Sequence, residues 1–488
     1  MENITEENIR IIFGIKVKKL RLDKTLSLHQ LSALSGISVS YLNEIENGKK
    51  YPKPDKINQL SKTLDISYDQ LVSSKLSKSL APVGQFLNFE VINDFLFETF
   101  GIDKGTLLTM VANEPIKVSA FINSIFEIAR NYNLKQEHFF FSCLRSYQEL
   151  NDNYFDDIED AVLNFIKQNS FDIKHPIAIA SYEAILKENY NYTIQATDWA
   201  AYPKIKHLRS VTIKGNRPRL LYNKKLTDRQ RAFLLGREIG FSYLKIDKRP
   251  YTTSWMQVES FDQVLKNFRA SYFAQALHIH REHLIQDIES FFGNATFNTD
   301  TLVHLLDKYE ASPEMLLTRI SNILPRYFGT SELFFIRYSS REPERNLKEI
   351  SKELHLSKHS ANLEYSTTEQ NYRRWLTKSL LKYMLEKKGT DKTKVEAVLS
   401  QNSNGNEYLT ISILRQMPEL NDNNNSVTLG FTITDTLRKK IHFLNDKALH
   451  ISKLGLLNPS EFEPQAELKI IKEQQERMAE LERLMRNG

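Results

Sequence analysis

Five residues within a six-residue span, Ser38, Val39, Ser40, Tyr41 and Asn43, are short, polar or aromatic, and three lysines follow them at Lys49, Lys50 and Lys53. Side chains of this kind at the N-terminal half of a helix can reach base edges in a major groove. An Asn can pair with adenine or hold a phosphate, and Val39 or Tyr41 can pack on a thymine methyl. The lysines suit phosphate neutralisation, which fixes position without reading sequence. Upstream, Ser27 and Gln30 stand where a preceding helix would begin, and Asn47 where the reading helix would end. The set therefore points to contact with double-stranded DNA.

Other chemistry has weaker support. Cys143 is the single cysteine of 488 residues, which excludes an internal disulfide and an iron–sulfur cluster held by several cysteines of one chain. Its setting, HFFFSCL, suits a buried apolar residue better than a nucleophile. His278, His280 and His283 cluster in HIHREH, but on one helix only the last two would share a face, and no further ligand completes a metal set. The opening MENITEEN lacks the apolar core of a signal peptide, and no uncharged apolar run approaches the roughly 20 residues of a membrane span. A cytoplasmic, soluble chain is expected.

Elements must exist to position these residues. Ile9, Ile12, Phe13, Val17 and Leu20 recur at helical spacing, with Lys16, Lys18, Lys19 and Arg21 beside them. Ser27 is a natural N-cap for a second helix whose core face would be Leu28, Leu31 and Leu34. Gly36 allows the tight turn, Ser38 caps the third helix, and Leu42 and Ile45 face inward. Residues 6–72 thus read as about five short helices. SVSYLNEIENGKKYPKP resembles the signature of the XRE (phage-repressor) family of helix-turn-helix domains. That resemblance implies a lambda-repressor-like fold and operator binding. Leu28 replaces the Gln that often contacts phosphate there, which would shift the task to His29 or Gln30.

After a Ser/Lys/Pro-tinged stretch at 73–84, helices are expected at about 88–101, 104–132, 134–150 and 155–168. Charge is unevenly spread behind the net +6: residues 81–200 hold about eight Lys/Arg against seventeen Asp/Glu, and residues 201–250 about fourteen against three. IAIASYEAILKENYN reads as a helix, HLRSVTI and RLLYN as two strands around Lys214–Asn216, and LTDRQRAFLLGREIGFSYL as a helix capped by Thr227 or Asp228. This order resembles the ImmA/IrrE family of zinc metallopeptidase-like domains. In that family two histidines at i and i+4 bind zinc while the intervening Glu activates water. Arg237 and Phe241 stand at the two histidine positions, Glu238 keeps the general-base position, and Asn267 replaces the third ligand. Neither guanidinium nor phenyl has a lone pair for zinc. The resemblance therefore implies a pseudo-enzyme with no catalytic residue beyond a vestigial Glu238, no zinc, and a ligand pocket at Arg237, Glu238, Phe241 and Asn267.

TLVHLLDKYEASPEMLLTRISNIL resembles the helical pair that completes such a domain, with Ala311-Ser312 and Arg319-Ile320 at matching places. Beyond Gly329, ELFFIRYS opens a module mixing helix and sheet. In it SLLKYMLEKK and DTLRKKIHFL read as helices. EYLTISIL places Leu409, Ile411 and Ile413 on one face, SVTLGFTIT places Val427, Leu429, Phe431 and Ile433 on another, and an NDNNNS loop joins them. The tail ELKIIKEQQERMAELERLMRNG reads as a helix. The whole order resembles the short-chain fatty-acyl regulator family, some members of which bind acyl-CoA and some an iron–sulfur cluster. Tyr372 occupies the position where a cluster cysteine would stand.

The expected fold is mainly α with α+β parts. It comprises a helix-turn-helix at 6–73, a helical linker at 85–170, a zincin-like, peptidase-related domain at 171–328, and a C-terminal α+β sensor or dimerisation module at 329–488. The expected function is an XRE-type, sequence-specific regulator acting as a homodimer, with an acyl-CoA-like effector and no membrane partner. The rival readings are a metallopeptidase-type anti-repressor and a toxin–antitoxin or phage-type protein-interaction regulator.

Overall fold

The computed structural model describes residues 6–73, 136–199, 208–247, 249–253, 260–330, 332–339, 349–357, 363–386, 393–401, 406–415 and 425–449. Two compact units emerge. The first holds 1–147 with 257–265, and the second holds 148–256 with 266–488.

In the first unit, helices α1 (Glu6–Asp23), α2 (Leu28–Ser35), α3 (Val39–Glu46), α4 (Pro54–Leu64) and α5 (Tyr68–Val72) enclose one small core. Phe13, Val17, Leu31, Ile37, Leu42, Ile45, Ile57, Leu60, Leu64 and Leu71 fill it. Local chemistry sets the boundaries. Ser27 and Gln30 form a capping box at the start of α2. Gly36 ends α2 at φ +68°, a left-handed conformation that costs a glycine little. Ser38 caps α3, and Pro54 takes the first position of α4, where its missing N–H costs no helical bond.

α1 crosses α3 closely. A Cβ on Gly14 would lie 2.3 Å from the Ile45 carbonyl oxygen, so only glycine fits there. Two turns further on, Arg21 donates from Nε and Nη2 to the two Glu46 carboxylate oxygens at 2.7 and 2.8 Å, and both side chains are buried. Lys16 reaches the other way, donating to the carbonyls of Gln70 and Ser73, and so fastens α5 to α1. The expected core face of α2 needs one correction. Leu34 is 64% exposed, and the buried positions are Leu31 and Ser35, with Leu28 packed at the edge. An eight-residue helix touching its neighbours along one line buries a stripe too narrow for all three leucines.

α6 (Gln136–Leu150) carries the half-buried Cys143, whose thiol burial pushes up to about 11. The helices expected near 88–101 and 104–132, the tail helix and most of the NDNNNS loop lie outside the described residues.

The second unit opens with α7 (Asp156–Asn169) and α8 (Ile179–Tyr190). A four-stranded sheet follows in the order β1-β3-β2-β4, with β1 (Thr193–Thr197), β2 (Ser210–Ile213), β3 (Arg219–Asn223) and β4 (Thr252–Thr253). β1 runs parallel to β3, and the other pairings are antiparallel. α9 (Asp228–Tyr243) leaves β3 through a capping box at Thr227 and packs on α10 (Phe261–His278). Cβ atoms built on Gly236 and Gly240 would lie 3.3 Å from Ala274 Cβ and 3.0 Å from the Ala270 carbonyl oxygen. Small residues on both helices thus bring the backbones together.

α11 (Arg281–Phe292), α12 (Thr299–Lys308) and α13 (Pro313–Ile323) come next. A five-stranded antiparallel sheet follows in the order β6-β5-β9-β8-β7, from β5 (Glu332–Ser339), β6 (Glu349–Ser357), β7 (Thr393–Gln401), β8 (Glu407–Arg415) and β9 (Asn425–Thr432). α14 (Leu363–Glu386) is inserted between β6 and β7, and α15 (Asp435–Lys440) follows β9. The two rows read on separate faces, Leu409/Ile411/Ile413 and Val427/Leu429/Phe431, share one face and one core with α11–α13. Antiparallel pairing sets Ile411 opposite Leu429 and Ile413 opposite Val427, so residues of like parity meet on the same side. The other face, with Phe334, Ile336, Tyr408 and Leu414, lies under Leu376, Leu380 and Met384 of α14.

The histidine cluster also differs from expectation. α10 ends at His278, and His280 is the N-cap position of α11, so HIHREH spans a break between helices. His278 is buried, sharing hydrogen bonds from Nδ1 with the Tyr182 hydroxyl and from Nε2 with the Tyr309 carbonyl, both at 2.8 Å.

Candidate nucleic-acid interface

α3 presents its first turn and a half outward. Ser38, Ser40 and Asn43 are exposed, Val39 is half-buried, and the Tyr41 ring lies against the edge of the core. The Ser38 hydroxyl is occupied in capping, accepting from the Tyr41 N–H at 3.3 Å. Asn43 Oδ1 accepts from Asn47 Nδ2 at 3.0 Å, which leaves the Asn43 amide hydrogens and one lone pair for a base edge or phosphate. That bond also holds the Asn43 side chain to the exposed ridge of the helix.

Ser27 is the N-cap of α2, and Gln30 closes the capping box with it. The Ser27 hydroxyl accepts the Gln30 N–H at 3.1 Å and Gln30 Oε1 accepts the Ser27 N–H at 2.8 Å. Both are exposed, and Gln30 keeps its amide hydrogens for a phosphate. The lysines separate into two kinds. Lys49 and Lys53 are exposed on the segment leaving α3, suited to phosphates. Lys50 pairs with Glu44 at 2.8 Å and lies 5.7 Å from the Tyr41 ring centroid, and the Glu44 hydrogen bond holds its ammonium above the ordinary value. A phosphate would have to compete for it. The Arg21–Glu46 pair and the Gly14 contact, which set the angle of α3, were not read from sequence. Their signal, two residues 25 apart with opposite charge, is long-range.

In the second unit, Arg237, Glu238 and Phe241 sit on α9 over the small sheet. Glu238 is buried and its Oε2 accepts from Arg249 Nη1 at 2.7 Å and from the Tyr192 hydroxyl at 3.2 Å, while Arg249 Nη2 donates to that hydroxyl at 3.1 Å. Arg237 is 6% exposed, donates from Nη2 to Thr253 Oγ1, and keeps a buried Nε with no partner. Burial lowers its affinity for the proton, as do the nearby Arg249 and Arg209 charges, with Glu238 opposing. The Phe241 ring lies under both cations, 4.6 Å from the Arg249 guanidinium carbon and 5.7 Å from that of Arg237. Asn267 lies on α10, three residues before Ala270, and its Oδ1 is buried without a partner. Among the described residues no group of three His, Cys, Asp or Glu side chains is placed to hold a metal. Arg249, Tyr192, Thr253 and Arg209 were missed in the sequence because strand pairing, not spacing, gathers them; the basic run 201–250 was their one trace.

Residues 17–71 match the Helix-turn-helix family. Over 61 residues the chain is 39% identical to the HTH-type transcriptional repressor RghR of Bacillus subtilis, covering 12% of this chain and 45% of that protein. Over 66 residues it is 33% identical to the control protein C.BamHI of Bacillus amyloliquefaciens, covering 13% of this chain and 82% of that one. The chain thus spans about half the length of RghR and most of C.BamHI. A solved Mycobacterium tuberculosis transcriptional regulator aligns at TM-score 0.42 and 13% identity, over 65% of this chain and 85% of that one. Among the described residues, no helix is long and apolar enough to cross a membrane. Through its N-terminal domain, the chain belongs to the XRE-type helix-turn-helix family of DNA-binding transcriptional regulators.

Proposed function

We propose that two copies of the chain bind a two-fold-related operator, each placing α3 in the major groove, and that the body reports an anionic small molecule to them. The observation that carries the DNA reading is the outward face Ser38–Asn43 on a helix locked to α1, with exposed Lys49 and Lys53 beside it. Val39, Ser40 and Asn43 meet base edges, while Gln30, Lys49 and Lys53 hold phosphates. Two copies would meet half-sites one helical turn apart, so an effector acts by changing the separation of the two heads.

For the body, the resemblance to short-chain fatty-acyl regulators supplies the effector class, acyl-CoA, and the Arg237–Glu238–Phe241 cluster supplies a place for its anionic group. A peptidase reading finds little support in this cluster. Arg237 and Phe241 bring no lone pair for zinc, and Glu238 is already bound by Arg249 and Tyr192 instead of facing a water.

The test is fluorescence polarisation of the full chain on DNA upstream of its own gene, in a salt series, with and without short-chain acyl-CoAs. Sequence-specific, salt-sensitive binding that shifts with acyl-CoA is expected; the absence of specific binding in every condition refutes the reading. Stoichiometric zinc together with cleavage of a repressor, both lost in Glu238→Gln, would restore the peptidase, and a stoichiometric protein partner that blocks DNA would favour the interaction reading.

A further inference from the structure

The charges around α9 do not balance. Arg237 and Arg249 are both buried, yet the one carboxylate beside them, Glu238, accepts from Arg249. Arg209, the exposed residue just before β2, whose backbone N–H donates to the Thr253 carbonyl at 2.6 Å, adds a third cation felt by Arg237. The other carboxylate near Arg209 is Glu314, and it already accepts from Arg337 and Lys352. Five cations therefore share two carboxylates, and the Arg237 guanidinium among them is met only by a threonine hydroxyl within the described residues. A buried charge without a counter-charge is strongly destabilising, so a fold that keeps one has a use for an anion.

The geometry points to a binding site for a phosphomonoester group, carried by a small molecule, between Arg237 and Arg209 at the β2–β4 edge. This deepens the effector reading above, on which it rests. Three features favour a phosphate dianion over a single carboxylate. Arg209, Arg237 and Arg249 less Glu238 leave two positive charges, matching a phosphomonoester ionised at neutral pH. Guanidinium forks suit phosphate oxygens, and Arg237 has a free buried Nε to offer. The Phe241 ring backs Arg237 and Arg249 on one side, which holds their planes in place and excludes water there.

The experiment is thermal unfolding of the full chain in glycerol phosphate, sodium acetate or sodium chloride at matched ionic strength. Glycerol phosphate is expected to raise the body's midpoint by roughly 2–4 °C for each tenfold increase above its Kd. The effect should fade as pH falls below about 6, where the second phosphate charge is lost. Arg209→Gln, at an exposed position, should weaken glycerol phosphate about tenfold with the midpoint in chloride unchanged. Arg237→Met should raise the midpoint in chloride, because an unbalanced buried charge is removed, and abolish the phosphate response. Equal midpoints in phosphate and chloride overturn the site. So does an acetate response equal to that of phosphate, or a phosphate response that survives Arg237→Met. A phosphate response that leaves DNA affinity unchanged keeps the site and refutes only its role as the effector site.

Discussion

Replacing Gly14 by Ala tests how α1 aims the reading helix. At an exposed helix interior the change should stabilise by about 1 kcal/mol through helix propensity alone. Here the new Cβ would lie 2.3 Å from the Ile45 carbonyl oxygen and 3.1 Å from that of Glu46, where ordinary contacts begin near 3.4 Å. Both neighbours are backbone, so no side chain can swing aside, and α1 and α3 must separate by about 1 Å. Overpacking of this kind costs typically 1–3 kcal/mol, and often more against rigid backbone, so the net effect is a loss of about 1–2 kcal/mol. Native-state amide exchange reads it segment by segment. Amides of α1 and α3 should exchange roughly five- to thirtyfold faster, with those of the second unit unchanged, and operator affinity should fall. Slower exchange in α1 and α3, the outcome at an exposed glycine, would refute the close crossing.

Other outcomes follow from the same contacts. Asn43→Ala should cost about 1–3 kcal/mol on the preferred operator and relax discrimination at one base pair, whereas Lys49→Ala or Lys53→Ala should weaken all sequences alike and lower the salt slope by about one each, as polarisation titrations at several base-pair variants would show. Lys50→Ala should change that slope less, because Glu44 already holds the ammonium. In the body, Arg319 and Glu159 form a fully buried pair with bonds of 2.5 and 2.9 Å, so Glu159→Gln should cost about 3–5 kcal/mol in denaturant unfolding. Acid should destabilise the body through His278, which burial lowers from 6.5 to about 4. The unfolded chain takes up the proton that the native state refuses, so this stability is complete above pH 6.5 and lost as pH falls toward 4, by about 3 kcal/mol in all. Unfolding midpoints for the wild type and His278→Gln across that range check the slope.

Local signals carried the N-terminal reading. Serine caps, the Gly36 turn and the lysine loop act within a few residues, so a single sequence displays them. Leu34 escaped because its burial depends on how wide a stripe its neighbours cover. The strand hairpin and α9 were visible through alternation and through the Thr227 cap, but β1 was not: its parallel partner β3 lies 26 residues on, beyond any local pattern. Distance along the chain likewise hid Tyr192, 46 residues from its partner Glu238. The face shared by Leu409 and Val427 required the β8–β9 register, which an intervening polar loop leaves unfixed. The break at Ile279–His280 was missed because neither glycine nor proline marks it.

The core formed by α11–α13 and one face of the five-stranded sheet runs without interruption from Ile279 to Leu449, passing straight across Gly329. Neither partner can keep its greasy side dry alone. A chain ending at 328 would leave Leu305, Leu316, Ile320 and Ile323 wet, and a fragment starting there would expose the inner row of β8 and β9. The sheet and the three helices must therefore be kept or lost together, and Arg319, bonded to Glu159, ties the same body back to α7.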